Sequence, residues 1–156
     1  NKVWSTLWTG SKTVSVSQWT DSANAYVNGA GNVCTGNKSG TPQFRVTFTH
    51  SYQTNTSYLK TRKYYWGGSS QTATTSIGSS PKTITISGWG TDIIYITADK
   101  ANTYSSGNGQ LRLSINTNAS TGKIGLWGGY ANITKGNGSS VQCYINLTVT
   151  KIEQYY

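Results

Sequence analysis

Apolar residues return at every second position through most of this chain. Phe44, Val46 and Phe48 alternate with Arg45, Thr47 and Thr49. Leu111, Leu113 and Ile115 alternate with Arg112 and Ser114. The longest run is Val141, Cys143, Ile145, Leu147 and Val149, with Gln142, Tyr144, Asn146 and Thr148 between them. A period of two sends one set of side chains to each face of an extended backbone, so each run reads as a half-buried antiparallel strand. Turn signals separate the runs, among them Asn28-Gly29, Gly107-Asn108-Gly109 and Gly136-Asn137-Gly138. Roughly ten to twelve short strands fit the pattern. The expected fold is all-β: a jelly-roll-like antiparallel β-sandwich of two packed sheets. No apolar run approaches the ~18 residues of a spanning helix, and no membrane insertion is expected.

The 156 residues suit one domain over 1–156, and no Pro-rich or charged linker divides them. The chain opens on Asn1 without a leader pattern, which points to a mature or excised segment. Four blocks recur in the same order. Lys12-Thr-Val-Ser-Val-Ser-Gln-Trp19 resembles Lys82-Thr-Ile-Thr-Ile-Ser-Gly-Trp89, and Ala23-Asn-Ala-Tyr26 resembles Ala101-Asn-Thr-Tyr104. Phe44-Arg-Val-Thr-Phe48 resembles Leu111-Arg-Leu-Ser-Ile115, and Tyr65-Trp66-Gly-Gly68 resembles Leu126-Trp127-Gly-Gly129. Their order predicts an internal duplication, with pseudo-repeats near 1–78 and 79–156.

Charge narrows the partners. Thirteen Lys and Arg stand against four Asp and Glu, for a formal net charge of +9. Such an excess attracts polyanions, or serves solubility alone. The tight cluster is Lys60, Arg62 and Lys63, interleaved with Tyr58, Tyr64 and Tyr65. It reads as a basic patch for an acidic glycan, or as charges that keep a strand edge from pairing. Stacking on single-stranded nucleic acid uses the same residue types, and is the less favoured reading. Cys34 and Cys143 do not form a zinc-ligand pattern. They are expected to join in a disulfide closing a loop of about 109 residues, worth up to ~4.7 kcal/mol, with two free thiols as the alternative.

The inventory for catalysis is thin, and no enzyme is expected. Asp21 and Asp92 follow a strand and a Trp, where Asp commonly makes a turn; Asp99 reads the same way, and Glu153 sits near the end. His50 is the single histidine. It falls in phase with Phe48 and reads as a partly buried residue satisfied by a hydrogen bond. No nucleophile elbow, phosphate loop or dinucleotide fingerprint is present. Four dispersed acids make no calcium site, so neither metal nor cofactor is expected.

Six Trp and eleven Tyr point instead to binding. Trp66 and Trp127 each precede paired glycines. An indole beside bare backbone can stack on the C–H face of a sugar, or Gly-Gly can simply bend the chain over a core Trp. Tyr65, Tyr130, Asn132 and Arg112 would supply nearby polar contacts. Trp19 and Trp89, at turns, have the same two readings, while Trp4 and Trp8 are expected on one core-facing side of the first strand. Six Asn-x-Ser/Thr sequons, one inside the strongest strand, fit a bacterial or phage source better than eukaryotic secretion.

The opening Leu7-Trp8-Thr9-Gly10-Ser11 and the closing strand through Thr148-Val-Thr-Lys151-Ile152-Glu-Gln-Tyr155 resemble distal β-sandwich domains of phage tail-fibre and baseplate proteins. The composition is similar to that of carbohydrate-binding modules. The resemblance implies a host-surface saccharide as ligand, an extracellular, cell-surface or virion-associated location, and homo-oligomeric assembly. The expected function is non-catalytic binding of cell-surface or polymeric carbohydrate, such as bacterial surface polysaccharide. The alternatives are an assembly subunit of a virion, pilus or surface layer, and a polyanion binder.

Overall fold

The computed structural model describes residues 2–19, 24–53, 56–61, 73–97, 110–131, 133 and 141–156. Among the described residues eleven strands run in chain order: β1 Trp4–Trp19, β2 Ala25–Asn28, β3 Gly31–Thr35, β4 Gln43–Gln53, β5 Thr56–Thr61, β6 Ala73–Ser76, β7 Lys82–Ser87, β8 Gly90–Thr97, β9 Gln110–Thr117, β10 Lys123–Ala131 and β11 Val141–Tyr155. They form two antiparallel sheets, one ordered β2-β1-β11-β4-β7 and the other β3-β10-β9-β8-β5-β6. The chain passes repeatedly from one sheet to the other, a jelly-roll-like winding.

The alternation in sequence builds the core directly. Val14, Val16, Phe44, Val46, Phe48, Ile145, Leu147 and Val149 face inward from the first sheet. Ile94, Ile96, Leu111, Leu113, Ile115, Ile124 and Leu126 meet them from the second, and all belong to one cluster. Each such side chain removed from water contributes about 1.5–3 kcal/mol before entropy is charged against it. Buried Gln154 is the polar exception. It accepts from the Asn37 backbone N–H at 2.7 Å and donates to the Asn37 carbonyl at 2.8 Å, which fixes the β3–β4 connection to the core.

Bulges explain a departure from the expected phase of β1. The register shifts between Thr6 and Trp8, so the two tryptophans part company. Trp8 packs against the core. Trp4 lies on the outer face, beside Tyr155 and beneath the Arg45 guanidinium at 4.0 Å.

The fold does not show a duplication. The strands holding Phe44–Phe48 and Leu111–Ile115 lie in different sheets, and β1 is internal where β7 is an edge. Residues 65–68 and 101–107 are outside the described ones. Similar local demands on half-buried strands account for the recurring pattern where both copies are described.

No disulfide joins the cysteines. Cys34 lies on β3 and Cys143 on β11, in opposite sheets, and both are free. The Cys143 thiol donates instead to Gln18 Oε1 at 3.7 Å. Burial pushes both thiols up to about 11.

Candidate functional site: the outer face of the six-stranded sheet

Strand register fixes which side chains share the outer face of the second sheet. Trp127 pairs with Ser114, Ser114 with Ile93, and Ile93 with Lys60. The next row is Gly129, Arg112, Tyr95 and Tyr58. A third row holds Gly125, Asn116 and Thr91. Ile93 and Tyr95 are buried, yet neither belongs to the core cluster. Tyr58 stacks on Tyr95 at 5.5 Å, and the Lys60 ammonium sits 4.4 Å from the Tyr95 ring centroid. The β9–β10 half of the face is more open, with Trp127 45% exposed and Arg112 half-buried.

The bare backbone beside Trp127 is not the pair that follows it. A side-chain carbon at Gly125 would meet Trp127 Nε1 at 3.1 Å and Asn32 Oδ1 at 3.0 Å. The indole therefore leans over Gly125, and with Asn32 it caps that buried glycine. Gly128 points inward, where a Cβ would lie 2.7 Å from Val27 Cγ1 and 2.8 Å from Val16 Cγ2. Gly129 lies beside Arg112.

Three loops close the end of this face around a depression of about 590 Å³. Its walls come from Gly40-Thr41, from Gly88-Trp89-Gly90-Thr91, and from Asn116-Thr117-Asn118-Ala119. Trp89 is half-buried and meets Phe44 edge-on at 5.2 Å. The walls are held by their own hydrogen bonds. Gly88 donates to the Pro42 carbonyl at 2.7 Å, and Thr117 Oγ1 accepts from Gly90 N–H at 2.9 Å. Asn118 Oδ1 accepts from the backbones of Ser120 and Thr121, an Asx-type turn. Asn116 Nδ2 donates to Thr91 Oγ1 at 2.7 Å.

Of the residues expected at a site, Trp127, Arg112 and Lys60 share this outer face. Tyr130 does not: three positions from Trp127, it faces the other way and donates to Asn24 Oδ1 at 3.3 Å. Trp66, Tyr65, Asn132, Arg62 and Lys63 are outside the described residues, as are Asp21 and Asp99. Asp92 is no turn residue; it lies within β8, paired with Ile115 and buried. His50 lies between Phe48 and Tyr52, and its ring nitrogens have no hydrogen-bond partner among the described residues, contrary to the bond expected of it. Sequence reasoning overlooked Thr91, Asn116 and Asn118. The visible signal was Gly88-Trp89-Gly90, an indole between two residues without side chains.

Among the described residues no three of His, Cys, Asp and Glu converge as metal ligands. Among the described residues no helix is long and apolar enough to cross a membrane. No family model, curated protein or solved structure matches the chain.

Proposed function

We propose that this protein binds polymeric carbohydrate without catalysis, through the outer face of its six-stranded sheet. The observation that carries the reading is Trp127, an exposed indole on a strand in the same face as Arg112. A pyranose can lay its C–H face on the indole while Arg112 and Ser114 reach its substituents. A sheet face offers length rather than depth, which suits a polymer such as a bacterial surface polysaccharide. The likeness of the first and last strands to phage host-recognition domains is in keeping with a cell-surface or virion-associated role.

A second reading has its own support. Among the described residues, Lys60 and Arg112 face outward on this sheet and neither forms an ion pair with a carboxylate. An acidic polymer would then bind chiefly by charge.

A glycan-array screen at low and high salt, with wild type, Trp127→Ala and Arg112→Gln, separates the two. Stacking predicts binding that survives salt and weakens tenfold or more (~1.4 kcal/mol or more) in Trp127→Ala. Charge predicts binding that fades with salt and with Arg112→Gln but tolerates the loss of the indole. No binding in any condition would overturn both.

A further inference from the structure

We propose that the depression around Trp89 is a second saccharide subsite, which receives an uncharged sugar unit of the polymer lying on Trp127. The inference rests on the carbohydrate reading above and extends it to a place of different chemistry.

The depression is lined by no ionisable side chain. Its polar groups are the hydroxyls of Thr41 and Thr91 and the amides of Asn116 and Asn118. Thr91 Oγ1 is fixed by accepting from Asn116, so its own hydrogen can point outward. Asn116 keeps its Oδ1 as an acceptor, and Asn118, whose Oδ1 is spent on the turn, keeps its NH₂ as a donor. An immobile set of neutral donors and acceptors next to an indole is what sugar hydroxyls require. Charged groups would instead select acids. The volume of about 590 Å³ falls within the range of small-molecule sites, roughly 300–1,000 Å³. The walls are tied together by main-chain hydrogen bonds and by the Thr117 hydroxyl, so little ordering remains to be done on binding.

Continuity with the outer face supplies the register. Asn116 pairs with Gly125, and the Trp127 indole leans over Gly125. Gly125 is itself buried, capped by the indole and by Asn32 Oδ1. A chain bound on the indole can pass over this capped position and place its next unit at Asn116, in the wall of the depression. Asn116, which lines the depression and pairs with Gly125, is thereby the residue shared by a neutral subsite at Trp89 and the face that carries Trp127 and Arg112.

The test is two-dimensional NMR of the full chain, reading the indole N–H signals of Trp89 and Trp127. The probes are neutral hexasaccharides of glucose, xylose, mannose and N-acetylglucosamine, and separately polygalacturonate. The expected result is one hexasaccharide that moves both signals along a single isotherm, at about 20 mM and at about 500 mM salt alike, where screening is weak and strong respectively. Thr91→Val and Ala119→Phe, the second on an exposed turn, should weaken it by about tenfold each while leaving the rest of the spectrum folded. Movement at Trp127 alone, with both variants binding as wild type, overturns the subsite and leaves the outer-face reading standing. Movement at Trp127 with polygalacturonate alone does the same. No movement with any probe overturns both.

Discussion

The two outer faces of the sandwich are cut from the same residue types and use them oppositely. On the five-stranded sheet the polar groups satisfy one another. Thr13 meets Thr148 at 2.8 Å, Thr47 meets Thr83 at 3.0 Å, and Asn146 Nδ2 donates to Ser51 Oγ at 3.3 Å. Its cation over an indole is also closed: Arg45 lies on Trp4 and forks onto Glu153 with two bonds of 3.0 Å, while Lys151 approaches the same carboxylate at 3.5 Å. On the six-stranded sheet, among the described residues, Trp127 has no guanidinium above it and Arg112 has no carboxylate. The first face pairs its arginine with a carboxylate; on the second, Trp127 stays exposed and Arg112 is without such a pair among the described residues. An aromatic and an arginine on a sheet are therefore not in themselves a binding signature; the carboxylate paired across from the arginine decides.

Exchanging the aromatics should break this comparison most visibly. Trp127→Ala is expected to lose glycan binding tenfold or more with a stability change within ~0.5 kcal/mol. Trp4→Ala is expected to keep binding and to lose about 1–2 kcal/mol, because a ring contact and a cation–π contact go together. Calorimetry and binding isotherms on the two proteins decide, and a binding loss in Trp4→Ala would remove the distinction between the faces.

Glu153→Gln sharpens it next. Burial raises the Glu153 carboxyl, but the hydrogen bond and charge of Arg45 and the charge of Lys151 outweigh it, so the net shift is downward. A lowered acid stabilises the fold above its unfolded value and loses that contribution as pH falls through the lowered folded one. The variant should cost about 1–2 kcal/mol at neutral pH, discounted because Arg45 is about a third exposed. The cost should vanish in acid. A gap that persists in acid, once the folded carboxyl is protonated, would show that packing, not charge, was lost.

Arg112→Gln should change stability by less than ~0.5 kcal/mol while flattening the salt dependence of binding, which titrations at four salt concentrations would reveal. The smallest effect concerns the thiols. At pH 8, values of about 11 leave only ~0.1% thiolate, so alkylation of Cys34 and Cys143 should be slow until denaturant is added. Mass spectrometry under native conditions checks it; rapid double labelling would contradict the burial.

The strands were legible because their cause is local: Leu111, Leu113 and Ile115 must face one way whatever their neighbours are. The same rule, applied strictly, separates Trp127 from Tyr130, whose spacing is odd. Strand order was not legible. The pairing of Val14 with Leu147 is decided by packing across most of the chain, not by either segment. The cysteines illustrate the same point, since Cys143 is core-facing by its own alternation while its distance from Cys34 depends on the sheet each joins. The depression was the least visible feature, because residues near 40, 90 and 117 meet only once both sheets are assembled.

The first and last strands have a mechanical consequence. Val3 and Tyr156 exchange two main-chain hydrogen bonds, of 2.9 and 3.1 Å, at the very start of the β1–β11 ladder. Antiparallel ladder bonds lie across the strands. Tension drawing residues 3 and 156 apart would therefore open them one after another, like a zip, instead of shearing the whole row at once. Tension between one terminus and a polymer held on the outer face of the other sheet follows a different path, in which this pair is not pulled apart from its end. Tethered by one end and gripping with the opposite face, the sandwich would resist more force than its adjoining ends suggest.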